Sequence, residues 1–147
     1  MTRPRRRARS GGAEIRALAQ AAAREAADRR GQEVVLLDLR GLTSATDYFV
    51  IVSGESDVQV RAIAARVEER LEREDVRPWH VEGVRNARWV LLDYVDFVVH
   101  VFHHATRRYY ELERLWADAP IESFPDEPGS DGKDLPEAVG DRDQATD

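Results

Sequence analysis

Fourteen residues, Trp89 to Phe102, read WVLLDYVDFVVHVF and limit the chain more than any other stretch. Two short apolar runs meet at Val95-Asp96. Successive strand residues point to opposite faces, so a spacing of two sorts them. With Val95-Asp96 as the tip of a two-residue hairpin, Tyr94 pairs with Phe97, Leu92 with Val99 and Val90 with Val101. That face is wholly apolar or aromatic and is expected to lie on a core. The opposite face carries Trp89, Leu91, Asp93, Val98, His100 and Phe102. A plain solvent face has no use for a Trp and a Phe, and a plain core face does not hold an Asp. Aromatic anchors beside a charge are the composition of a protein-binding patch. The competing reading is that a helix of the same chain covers this face.

Flanking patterns fix the class. Ile15, Leu18, Ala19, Ala22 and Ala26 follow helical spacing, with a start at Ser10 or Gly11 and a stop at Gly31. Val34 to Leu39 and Tyr48 to Val52 are continuous apolar runs, as in strands buried on both faces, and 40–46 is turn chemistry. Ser56 and Gln59 have capping-box spacing, and Val60, Ile63, Ala64, Val67 and Leu71 form one apolar stripe behind them. Trp79 to Glu82 reads as a short strand and Gly83 to Arg88 as a loop. A last helix spans about 106–117, with Tyr109, Leu112 and Trp116 on one side and Leu115 beside them. The order predicts an α/β fold: one mixed sheet of about five strands flanked by helices, with the crossover through the second helix joining parallel strands in right-handed sense.

The 147 residues suit one domain. No cysteine is present, which excludes disulfides and thiolate metal sites and fits a reducing compartment. No apolar run approaches the roughly 20 residues of a membrane span, and no apolar segment follows the N-terminal arginines as in a secretory signal. A soluble cytoplasmic protein is expected. The net charge of −6 is uneven. Residues 1–10 hold five arginines and no acid, whereas 121–147 hold nine acids against Lys133 and Arg142. We therefore expect a disordered basic arm over 1–12, a domain over 13–120 and a disordered acidic tail over 121–147. The arm's arginines are the one place where direct RNA contact is expected.

Catalytic patterns are weak. His100, His103 and His104 lack carboxylates at metal-ligand spacing, so no metal is expected. Gly54-Glu55-Ser56 is a single glycine before a helix and makes no phosphate loop. Asp38, Asp47, Asp93 and Asp96 stand near strand ends, where paired carboxylates can hold magnesium for nucleotidyl transfer. Each pair flanks a turn, however, and turn geometry accounts for both. The enzymatic alternative would show itself as magnesium-dependent nucleotide binding. No cofactor and no small-molecule substrate are expected.

Six blocks taken in order carry a resemblance: Asp47-Tyr48-Phe49-Val50-Ile51; Gly54-Glu55-Ser56-Asp57 with Gln59 and Ala62-Ile63; Glu82-Gly83; Trp89 to Tyr94; Asp96 to Phe102; and Arg108 to Trp116. Over about residues 13–120 the chain resembles the ribosomal silencing factor family, also called the Iojap family. The resemblance implies an α/β fold similar to nucleotidyltransferases but without their catalytic set. It implies a translational repressor that binds the large ribosomal subunit through the ribosomal protein conventionally numbered fourteen. That protein lies where the small subunit docks, so binding blocks subunit joining and damps translation when nutrients are short. Homodimers are also implied, and the family's partner-facing Trp and Asp fall on Trp89 and Asp93. The family usually has Gly in the hairpin. This chain has Val95, whose branched side chain resists positive φ.

Overall fold

The computed structural model describes residues 11–125. In chain order the elements are α1 (Gly12–Asp28), β1 (Gln32–Asp38), β2 (Tyr48–Gly54), α2 (Asp57–Glu72), β3 (His80–Glu82), β4 (Trp89–Asp93), β5 (Phe97–His103), α3 (His104–Tyr110), α4 (Leu112–Leu115) and β6 (Ile121–Phe124). The six strands form one sheet in the order β3-β4-β5-β2-β1-β6. β2 and β5 are parallel, and every other neighbouring pair is antiparallel. The strands on either side of α2, β2 and β3, therefore run in the same direction.

Helix α1 begins after Gly11 and buries Ile15, Ala19, Ala22, Ala23, Ala26 and Ala27. Small side chains let its backbone lie close to the sheet. Gly31 has the same cause, because a Cβ there would collide with Val52 and the Ala26 carbonyl. Helix α2 is capped as its sequence dictates. The Ser56 hydroxyl accepts from the Gln59 amide at 3.1 Å, and the Gln59 side chain accepts from the Glu55 amide at 2.6 Å. Both helices cover one sheet face, where Val34, Leu36, Val50, Val52, Val90, Leu92, Val99 and Val101 join their apolar stripes in the main core. A smaller cluster, Leu37, Leu39, Ile51, Phe102 and Ala119, lies on the other face. β1 feeds both clusters, as its continuous apolar run requires. Among the described residues no helix is long and apolar enough to cross a membrane.

Four details of the expectation are corrected. The sheet has six strands rather than about five. The sixth falls inside the segment expected to be a disordered tail, since Val34 to Leu37 of β1 pair with Phe124 to Ile121. Four residues are too few to outweigh the acids, Pro and Gly that follow them in a composition argument. Yet Phe124 is buried under the Arg24 guanidinium, 5.4 Å from its ring centre, and Glu122 accepts from Arg16 and Gln20. At the other end, Gly11 and Gly12 of the expected arm belong to the α1 cap and first turn. The rest of the expected arm and tail lies outside the described residues. Finally, the helix expected over 106–117 is two helices, broken where Glu111 adopts φ 48°.

Candidate partner-binding surface

The β4–β5 hairpin has the register its alternation predicts. Trp89 lies opposite Phe102, Leu91 opposite His100 and Asp93 opposite Val98. Tyr94, Phe97, Leu92, Val99, Val90 and Val101 all point into the main core. The other six residues do share the opposite face. They do not form an outward patch. Asp93, Val98, His100 and Phe102 are buried, with Phe102 at 0% exposure, and only Trp89 and Leu91 are half-buried. Two causes combine. β5 is an inner strand with neighbours on both sides, and the segment after α3 returns over this face, so Leu112, Trp116 and Ala119 pack against the second cluster with Phe102.

The burial organises an aromatic seam. The Trp89 ring lies 4.7 Å from Phe102 and 5.1 Å from Tyr110. Its indole N–H donates to His100 Nδ1 at 3.0 Å. The His100 ring meets Phe49 edge-on at 4.4 Å, and Phe49 meets Trp116 at 6.0 Å. Burial pushes the His100 pKa down to about 3, against the pull of the Asp93 carboxylate in the other direction. The imidazole is therefore neutral, with Nδ1 as the acceptor and the proton on Nε2, an atom that has no hydrogen-bond partner among the described residues. The seam opens to solvent at Trp89, Leu91 and Tyr110, the last 53% exposed, with Tyr109 at 81% beyond it. Tyr109 and Leu115 face outward, whereas Leu112 and Trp116 pack inward, so these four do not share one side.

The hairpin tip is where Asp93 acts. Its Oδ1 accepts from the Val95 amide at 2.8 Å. Asp96 N–H donates to the Tyr94 carbonyl at 2.8 Å, which closes a γ-turn centred on Val95 at φ 74°. The 39–47 loop holds this turn from outside: the Thr46 hydroxyl donates to the Val95 carbonyl at 3.0 Å and the Asp47 amide to the Asp96 carbonyl at 2.9 Å. Gly83, at φ 85°, brings the preceding loop so close to the Trp89 carbonyl that a side chain there would collide with it.

Of the candidate catalytic groups, Asp38, Asp93 and His103 are engaged in turns and a cap. Asp38 accepts from the Arg40 amide and guanidinium, and the bond to that side chain holds its carboxyl below the usual range. His103 Nδ1 accepts from the Ala105 amide as the α3 cap, and its ring stacks on His104 at 4.7 Å. Among the described residues no three His, Cys, Asp or Glu side chains are grouped to hold a metal. Sequence reasoning missed Tyr110 as the neighbour of Trp89, and it missed Arg107, a buried arginine within α3 that pairs with Glu113 of α4. Neither has a local signal, since both depend on how the segment after β5 folds back.

Comparison with known proteins points one way. The profile of the family described as "ribosomal silencing factor during starvation" matches residues 12–147. A Bacillus subtilis protein named ribosomal silencing factor RsfS is 45% identical over 94 residues, which are 64% of this chain and 80% of that protein. A crystal structure of a Chromobacterium violaceum protein superposes with TM-score 0.68 at 35% identity, covering 70% of this chain and 86% of its own. A second, from Bacillus halodurans, gives 0.65 at 38% identity, covering 74% and 99%.

Proposed function

The chain belongs to the ribosomal silencing factor family, and from that premise we propose that it is a translational repressor that binds the large ribosomal subunit and blocks joining of the small one. In this reading it acts in the cytoplasm, as a binding protein and not an enzyme, and damps translation under nutrient limitation. Its contact is the ribosomal protein conventionally numbered fourteen, and it self-associates as a homodimer. In this reading the arginines of residues 1–10 touch RNA.

One observation carries the proposal: an aromatic seam anchored in the sheet and open at Trp89. Interfaces concentrate their energy in a few aromatic anchors held in fixed conformations. The six residues then divide. Trp89 and Leu91 touch the partner, joined by Tyr110. Phe102 and His100 act from beneath by fixing the Trp89 ring, and Val98 and Asp93 hold the strand and the turn. The alternative, a nucleotidyltransferase-like enzyme, draws on Asp38, Asp47, Asp93 and Asp96; the engagement of Asp38 and Asp93 in their own turns favours the binding protein.

The test is cosedimentation with separated subunits beside thermal melting. Trp89→Ala removes an anchor worth on the order of 2–4 kcal/mol, which is about 30- to 700-fold in affinity. The same change leaves His100 Nδ1 without its donor and a gap beside Phe102, so a stability loss of about 2–3 kcal/mol accompanies it. Tyr110→Ala, at an exposed position, is expected to weaken binding with little change in melting. If folded Trp89→Ala and Tyr110→Ala both pellet fully with the large subunit, the seam is not the binding surface. Asp93→Arg is a poor probe, because it breaks the turn.

A further inference from the structure

β2 and β5 lie side by side and parallel, and the chain leaves their carboxyl ends in opposite directions. After β2 it enters α2, whose apolar stripe joins the main core, and after β5 it enters α3 and α4, whose Leu112 packs on the other face. Such a divergence opens a crevice at the strand ends, which is where open α/β sheets bind small ligands. A groove of about 670 Å³ lies there, and every residue lining it is charged or polar.

At its floor is Arg107, 6% exposed. Its Nη1 donates to Ser53 Oγ at 2.9 Å and to the Gln32 carbonyl at 3.4 Å, which fixes the guanidinium. Its Nε and Nη2 both donate to Glu113 Oε2, at 3.2 and 2.6 Å. That Nε–Nη2 edge is the fork that matches the paired oxygens of a phosphate. Its present occupant comes from a four-residue helix that follows the left-handed residue Glu111. Arg108 lines the same groove and has no carboxylate at ion-pair distance among the described residues, and His104 stands beside it.

We propose that this groove binds the terminal phosphate of a small phosphorylated ligand, and that the Glu113 carboxylate occupies the phosphate's place on Arg107 in the free protein. Glu113 brings one negative charge, which Arg107 alone balances. A terminal phosphate brings close to two, and Arg108 supplies the second cation. The recess of Arg107 selects an end-on phosphate over the backbone of a nucleic acid, whose phosphodiesters carry one charge each and are flanked by sugars. Glu111 engages Arg114, and Glu33 adds a carboxylate to the lining, so the affinity is modest.

The full chain is titrated with inorganic pyrophosphate by calorimetry, with the Arg107 Nε–H signal followed by NMR. An intramolecular occupant lowers apparent affinity by the fraction of time it leaves the site free. Glu113→Gln should therefore bind pyrophosphate about tenfold more tightly than the wild-type chain and shift the Arg107 signal on binding. Adding Arg107→Lys, which keeps the charge and loses the fork, should reverse that gain. Equal affinity of the wild type and Glu113→Gln, an unmoved Arg107 signal, or no binding to either at about 10 mM would overturn the proposal and leave the pair as a clasp between α3 and α4. Equal movement of the Arg107 signal by an oligoribonucleotide with no terminal phosphate would overturn the choice of ligand. The readout uses no ribosome, so it fails or succeeds independently of the subunit-binding reading.

Discussion

At the residue scale, His100 stands between Val99 and Val101 in the sequence and shares a hairpin face with Trp89 and Phe102, which leaves open whether water reaches it. The structure buries it and makes it the acceptor for Trp89. The folded protein holds it neutral down to about pH 3, whereas the unfolded chain takes up a proton below about 6.5. Its contribution to stability is full above that pH and is lost as the pH falls toward 3, by about 1.4 kcal/mol per unit. From pH 7 to 5 the loss is on the order of 2 kcal/mol. His100→Gln, which keeps an acceptor and cannot titrate, should remove that component. Urea melts of both proteins at pH 5 and 7 check it: parallel losses would mean that His100 is not held neutral. The six candidate residues were legible as one face of a hairpin because alternation is a local rule. Their depth was not, because burial depends on Leu112 and Trp116 returning from 10 or more residues away in the chain.

At the element scale, the hairpin was readable to its register and its tip was not. A valine at φ 74° is opposed by its own branched side chain, at about 1–3 kcal/mol. Hydrogen bonds at Tyr94, Val95 and Asp96 hold it there. Because Val95 is also largely buried, two effects compete when it is truncated. Val95→Ala loses apolar burial and keeps a Cβ at positive φ. Val95→Gly loses slightly more burial and relieves the backbone. Where strain outweighs that last methyl of burial, Val95→Gly should be more stable than Val95→Ala by about 1 kcal/mol; the reverse order in denaturant melts would assign the turn's conformation to burial alone. The division of the last helix had no sequence signal of its own. Glu111 is an ordinary helix former, and what accompanies the break is the Arg107–Glu113 pair folding α4 back.

At the scale of the whole molecule, two layers unequal in size sandwich one sheet, and β6 closes an edge of that sheet. The α/β class and the parallel sense across α2 follow from the order of apolar patterns. The sixth strand does not, because an edge strand of four residues needs its partner to be recognised. Ending the chain after Pro125 should leave the thermal midpoint within a few degrees. Ending it after Pro120 removes the buried Phe124, the Glu122 bonds and the partner of β1, a loss of about 3 kcal/mol that lowers the midpoint by 10 °C or more, on the order of 4–8 °C per kcal/mol. Calorimetric scans of the two truncations decide it, and equal midpoints would show that β6 contributes nothing. The pairing of Val34 with Phe124 also has a consequence in time. The first strand made waits for the last. At about 5–20 residues per second, synthesis from Asp38 to Phe124 takes about 4–17 s. Throughout that interval the outer edge of β1 has no partner of its own, with unpaired amides and carbonyls that any other extended chain could claim. The vulnerable state of this protein is thus the nascent chain, and its exposure lengthens whenever elongation slows.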